Sequence, residues 1–181
     1  GFGARVYCVA PKLDQADIIY NDIWTMITLE PDLMQSKDVP VEAQENKARH
    51  RMTDLYIESS NSTVKKIAFS AKKSDGFNPS LCICDEVASW QGDAGLKQYE
   101  VMKSGMGARP EGIMLACTTS GYQNDSIFDE LLKRSTRFLL GESKETRLLP
   151  FLYMIDDIDK WDDINELRKS IPGLGESVSV Q

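Results

Sequence analysis

The chain has 181 residues, 41% hydrophobic and 27% charged, with a net charge of −7. This is ordinary for a globular domain large enough to bury a core. No apolar run approaches the roughly 20 residues needed to span a bilayer, and the acidic balance argues against a general nucleic-acid coat.

Gly1-Phe2-Gly3-Ala4-Arg5 has neither a signal-peptide pattern nor an initiator Met, so a fragment is expected. Arg5 to Ala10, ended by Pro11, predicts a buried strand. Asp14 is placed to cap the next helix, in which Ala16, Ile19, Ile23, Met26 and Ile27 recur at helical spacing. Glu45 to Met52 is polar and basic, helix or loop. Tyr56 to Glu58 and Val64 to Phe69 predict short strands, and Ser74 to Pro79 a turn. Leu81 to Cys84 is a fully apolar strand. Gly92 to Gly95 reads as a loop before a helix carrying Leu96, Tyr99, Val101 and Met102. Ile113 to Cys117 predicts another buried strand, and Ser126 caps a helix with Ile127, Phe128, Leu131 and Leu132 on one face. Leu148 to Met154 predicts a last strand, followed by an acidic patch, a helix near Ile164 to Ser170, and a linker-like tail.

Strands alternating with helices predict an α/β fold with a mostly parallel sheet. Cys8, Cys82, Cys84 and Cys117 sit in apolar runs without Cys-x-x-Cys spacing, so buried, reduced thiols of a cytosolic protein are expected. Charge is segregated. Seven Lys or Arg (Lys47, Arg49, Arg51, Lys65, Lys66, Lys72, Lys73) stand against three acids between Gln44 and Ser74, whereas Asp156 to Glu166 holds six acids and one base. His50 reads as a surface residue, and Trp24, Trp90 and Trp161 as packing residues.

Two clusters at strand ends carry chemistry. Asp85 and Glu86 follow the apolar Leu81 to Cys84 run. Side-chain alternation aims them in different directions, so one can hold a magnesium ion and the other polarise an attacking water, the two functions that phosphoryl transfer needs. This is a Walker B pattern, although acids simply exposed after a strand look the same. Thr118-Thr119-Ser120-Gly121 ends the strand that follows. It offers hydroxyls to a phosphate, or else only a Ser/Thr turn before the next helix. Ligands of parallel sheets bind at such carboxyl ends. A third feature, Ala10-Pro11-Lys12-Leu13-Asp14-Gln15-Ala16, is similar to strand–loop–helix units of helicase-like ATPases.

Taken in order, these features resemble the ATPase domain of phage terminase large subunits. Ser74 to Ser80, Lys103 to Pro110, the acidic segment after Phe151-Leu152-Tyr153, and Ile171-Pro172-Gly173-Leu174-Gly175 extend the resemblance over essentially the whole chain. It implies a P-loop NTPase-like, ASCE-type three-layer fold lacking its first strand and phosphate loop. Residues 1–155 would form a partial ATPase domain, and residues 156–181 an acidic segment and linker toward a nuclease domain. It further implies Asp85 as the magnesium ligand, Glu86 as the catalytic base, and Thr118, Thr119 and Ser120 as a nucleotide-sensing coupling motif. ATP and Mg2+ would be the cofactors. The implied partners are double-stranded DNA, a terminase small subunit, a portal protein and further copies in a ring, in the cytoplasm of a bacterial host and with no membrane. An arginine finger, often from a neighbouring subunit, is expected, with Arg109 slightly preferred over Arg49 and Arg134. The Gly-x-x-x-x-Gly-Lys-Ser/Thr loop is absent, so this polypeptide alone is expected to be inactive. A helicase-like translocase and a degenerate nucleotide- or DNA-binding module remain as alternatives. A metal-dependent phosphatase or nuclease would need more convergent acids.

Overall fold

The computed structural model describes residues 2–30, 48–51, 53–58, 60–68, 76–121 and 126–179. The apolar run before Pro11 forms β1 (Arg5–Ala10), buried from Tyr7 onward. A buried strand must bond its backbone on both sides. Accordingly, β1 pairs in parallel with β4 (Ser62–Ala68) on one side and β5 (Leu81–Cys84) on the other. Beyond β5 lies β6 (Ile113–Ala116), also parallel. Beyond β4 lie β3 (Leu55–Ile57) and β2 (Ala48–His50), both antiparallel to their neighbours. The six-stranded order is β2-β3-β4-β1-β5-β6.

Helix α1 (Leu13–Thr28) covers one face of this sheet. Tyr20 and Ile27 bury against Ala48 and Leu55, with Ile23, Trp24, Ile57 and Val64 packed around them. Lys66 reaches from β4 to Asp17 of α1 at 2.5 Å. Strand alternation turns Tyr7 and Val9 away from Val6 and Cys8. On that second side, Tyr7 meets Phe77 edge-on at 5.2 Å. The Phe77 carbonyl in turn lies against Gly105, the last residue of α2 (Gly92–Gly105), where an added Cβ would come within 2.6 Å of that oxygen. Close approach of backbone to helix therefore requires glycine there.

Two compact units divide the chain, Gly1–Glu130 and Leu131–Gln181. Helix α3 (Ile127–Leu139) runs across the boundary. Before it, the Ser126 N–H and hydroxyl both donate to Asp129 Oδ2, at 3.0 and 3.3 Å, a capping arrangement that starts the helix. In the second unit, the Arg134 guanidinium forks onto the Glu145 carboxylate. Helix α4 (Ile164–Ser170) is capped by Asp163, which accepts the Asn165 N–H at 2.7 Å.

Several expectations change. Helix α1 starts at Lys12 rather than Asp14: Gln15 Oε1 accepts the Lys12 N–H at 3.2 Å, and Asp14 sits in the first turn. Tyr20, not Ile19, is the buried residue of the middle of α1, and Met26 is 61% exposed. Residues 48–50 of the basic stretch form a strand, while 45–47 lie outside the described residues, as do 69–75. Gly92 to Gly95 is the first turn of α2, not a loop. Among the described residues β6 pairs only with β5, and Ile113 is 61% and Leu115 49% exposed; its apolar composition does not come from burial between two described strands. No strand is found at Leu148 to Met154. Cys8, Cys82 and Cys84 are buried and free, but Cys117 is exposed. Burial pushes the Cys8 thiol up to about 12, so it stays neutral and inert. Trp161 is exposed rather than packed.

Candidate active site

Because β5 and β6 are parallel neighbours with Cys84 opposite Ala116, whatever follows the two strands emerges side by side. The register continues past the strands: the Asp85 N–H donates to Val9 O at 2.8 Å and the Cys117 N–H to Cys84 O at 2.8 Å. Asp85 therefore leaves the sheet between the ends of β1 and β6. The Cys117 thiol is pushed up by partial burial and by the Asp85 charge beside it, an electrostatic sign of the same closeness.

Glu86 is one of two non-glycine residues with positive φ (φ 49°, ψ 45°) among the described residues. Left-handed backbone costs an L-residue on the order of 1 kcal/mol, and such conformations concentrate at functional sites. The kink starts a single tight helical turn, Val87–Ser89. The turn is held by Ser89 N–H to Glu86 O at 2.8 Å and Trp90 N–H to Val87 O at 3.0 Å. Below it, Trp90 is fully buried, and its indole Nε1–H donates to the Asp85 carbonyl at 2.9 Å. The backbone under both acids is thus fixed from inside, while the Glu86 carboxylate reaches out and accepts Gln15 Nε2–H at 2.6 Å.

The hydroxyl cluster meets this turn directly. Thr118 Oγ1 accepts the Ala88 N–H at 3.0 Å and donates to Thr119 O at 2.8 Å. Its hydroxyl is used to staple the two strand ends together. Thr119 and Ser120 lie exposed alongside. Gly121 packs so close that an added Cβ would come within 2.7 Å of Ala88 Cβ. The acid pair and the hydroxyl cluster therefore share one end of the sheet. Gln15 escaped sequence reading because glutamine near a helix start is commonplace and its partner is 71 positions away.

Arg109 is not part of this group. It precedes β6, and its guanidinium donates to Gly3 O, ahead of β1, and to Asn78 Oδ1, ahead of β5, both at 2.9 Å. All three strands are parallel, so these partners lie at the amino ends, roughly 10 Å or more from the acids given about 3.3 Å per residue. Arg109 clamps three strand starts. Arg109→Ala is expected to lower unfolding free energy by about 1–3 kcal/mol, read as a shift in the urea midpoint. Arg49 pairs with Glu58 at 2.5 Å, and Arg134 with Glu145. A cavity of about 420 Å³ opens beside Val6, Ile27, Leu55 and Val64, with Ser60, Ser62 and Thr63 also on its wall; neither the acid pair nor the strand-end hydroxyls line it.

Among the described residues, no cluster of three or more His, Cys, Asp or Glu could hold a metal ion. One hard carboxylate suits magnesium, which takes one or two protein oxygens together with phosphate oxygens and waters. Asp85 fits that role.

Comparison with known proteins gives the family and the fold. The family model for the terminase large subunit ATPase domain matches residues 2–137. Protein YmfN of Escherichia coli (strain K12) is 32% identical over 107 residues, 59% of this chain and 23% of that protein. The crystal structure of the HK97 bacteriophage large terminase superposes with a TM-score of 0.70 at 16% identity, covering 97% of this chain and 34% of that one. The chain thus spans well under half the length of either relative. The shared fold is P-loop NTPase-like.

Proposed function

The chain belongs to the terminase large subunit ATPase domain family, and from that premise we propose that it is the hydrolytic part of a motor that drives double-stranded DNA into a viral capsid. The observation that carries this reading is the stapling of Ala88 to Thr118 at 3.0 Å, which joins the acid pair to the hydroxyl cluster. Bound ATP with Mg2+ would supply the scissile phosphoanhydride and the charge neutralisation of its transfer. Asp85 would hold the cation. Glu86 would take the proton of the attacking water at its carboxylate. Thr118 would keep the ends of β5 and β6 in register, and Thr119 and Ser120 would sense the terminal phosphate.

The rest of the reading follows from the family. Residues 1–155 would be part of the ATPase domain, and 156–181 a linker. A small subunit, a portal protein and further copies in a ring would be partners, in the cytoplasm of a bacterial host. Among the described residues no helix is long and apolar enough to cross a membrane. Exposed Arg49, Arg51 and Lys65 on the β2–β4 side are candidates for DNA phosphate contact, Arg51 being braced 3.8 Å over the Tyr56 ring. No Gly-x-x-x-x-Gly-Lys-Ser/Thr loop occurs in these residues, so turnover would require one from elsewhere.

Phosphate release tests the reading. A full-length protein carrying this sequence should hydrolyse ATP in a Mg2+-dependent manner. Asp85→Asn should cut the rate at least about 100-fold at fixed Mg2+ and raise the Mg2+ requirement. Residues 1–181 alone should show no turnover. Unchanged hydrolysis by Asp85→Asn would end the assignment.

A further inference from the structure

We propose that Gln15 positions the Glu86 carboxylate and ties the first turn of α1 to the chemistry at the end of β5. The proposal rests on Glu86 acting as the base.

The Gln15 side-chain amide is engaged at both ends. Its Oε1 accepts the Lys12 N–H at 3.2 Å, and its Nε2 donates to Glu86 Oε2 at 2.6 Å. A backbone N–H requires an acceptor and a carboxylate requires a donor, so the two partners together fix which end of the amide is which. Helix capping alone would explain the first bond. It does not explain the second, which joins residues 71 positions apart.

The Glu86 backbone is already immobilised by its place in the tight turn, but an exposed glutamate side chain still samples several staggered rotamers. Gln15 selects one of them. A charge-assisted bond of this length is among the stronger kinds. Positioning matters because an error of about 1 Å in a reacting group can cost on the order of 100-fold in rate. Gln15 is a positioning residue: it acts through Glu86. Its own place depends on the segment Pro11-Lys12-Leu13, where Lys12 and Leu13 are exposed. Whatever displaces that turn displaces the base.

Steady-state ATP hydrolysis by the full-length protein tests this with Gln15→Ala and Gln15→Glu, each alone and combined with Glu86→Ala. Gln15→Glu keeps an acceptor for the Lys12 N–H but replaces the donor facing Glu86 with a carboxylate. Both single variants should lower kcat about tenfold or more, with KM for ATP changed less than about twofold. Neither should reduce the residual rate of Glu86→Ala further. A readout independent of turnover is the Gln15 side-chain amide signal in ¹⁵N NMR of the glutamine-labelled, nucleotide-free protein, which should move on Glu86→Ala. Wild-type kcat in Gln15→Glu, or an amide signal unmoved by Glu86→Ala, overturns the positioning role. Wild-type turnover in Glu86→Ala sinks instead the reading of Glu86 as base.

Discussion

Glu86→Gln in the full-length protein is expected to lower kcat for ATP hydrolysis by about 10²–10⁴-fold, equivalent to about 3–5 kcal/mol of barrier. Affinity for nucleotide should stay within a few-fold. The substitution keeps the size of the side chain and an oxygen able to accept the Gln15 amide, yet removes the ability to take a proton. The kinked backbone is unaffected, because glutamine and glutamate carry the same cost at φ 49°. The loss should therefore fall on kcat and spare KM. Phosphate-release kinetics alongside titration with a fluorescent nucleotide would separate the two. Full turnover with glutamine in place would mean that the water is activated elsewhere.

Trp90→Ala should be the most damaging change to stability, at about 3–5 kcal/mol. Trp90 is the largest fully buried side chain, with no accessible surface, and two features converge on it. Its indole N–H supports the Asp85 carbonyl at 2.9 Å. The first turn of α2 lies directly on its backbone, where a Cβ on Gly95 would come within 2.3 Å of the Trp90 oxygen. Removing the ring leaves a cavity between the acid turn and α2. Native domains hold only about 5–15 kcal/mol in all, so the loss is a large share. Trp90→Phe retains most of the ring volume and forfeits the N–H bond, for which about 1–2 kcal/mol is expected. Urea unfolding of both variants measures the series. Equal midpoints for Ala and wild type would show that this ring does not hold the turn.

The central strands were legible because burial on both faces leaves a visible mark. Val6 to Ala10 and Leu81 to Cys84 are uninterrupted apolar runs, each ended by a residue that cannot or need not continue. The same logic misjudged β6. Ile113 to Ala116 is as apolar as β5, yet composition does not reveal whether a strand has one neighbour or two. Glycines misled in another way. Gly92 and Gly95 read as a loop by local propensity, but Gly95 is required by the closeness of the Trp90 carbonyl and sits within a helix. At the site, the acids and hydroxyls could be read because each ends a strand and parallel pairing brings such ends together. Arg109 stood in a segment with a family-like pattern, but pattern does not show that its bonds within one chain run to Gly3 and Asn78. The Gln15–Glu86 bond is purely tertiary.

The left-handed backbone at Glu86 carries one more consequence. Glycine or asparagine would adopt that conformation with less strain, so the base proposed here is not the residue the backbone favours. Selection for thermal tolerance and selection for turnover therefore pull in opposite directions at this position. A library screened only for heat resistance would drift toward chains that keep their shape and lose the proposed base.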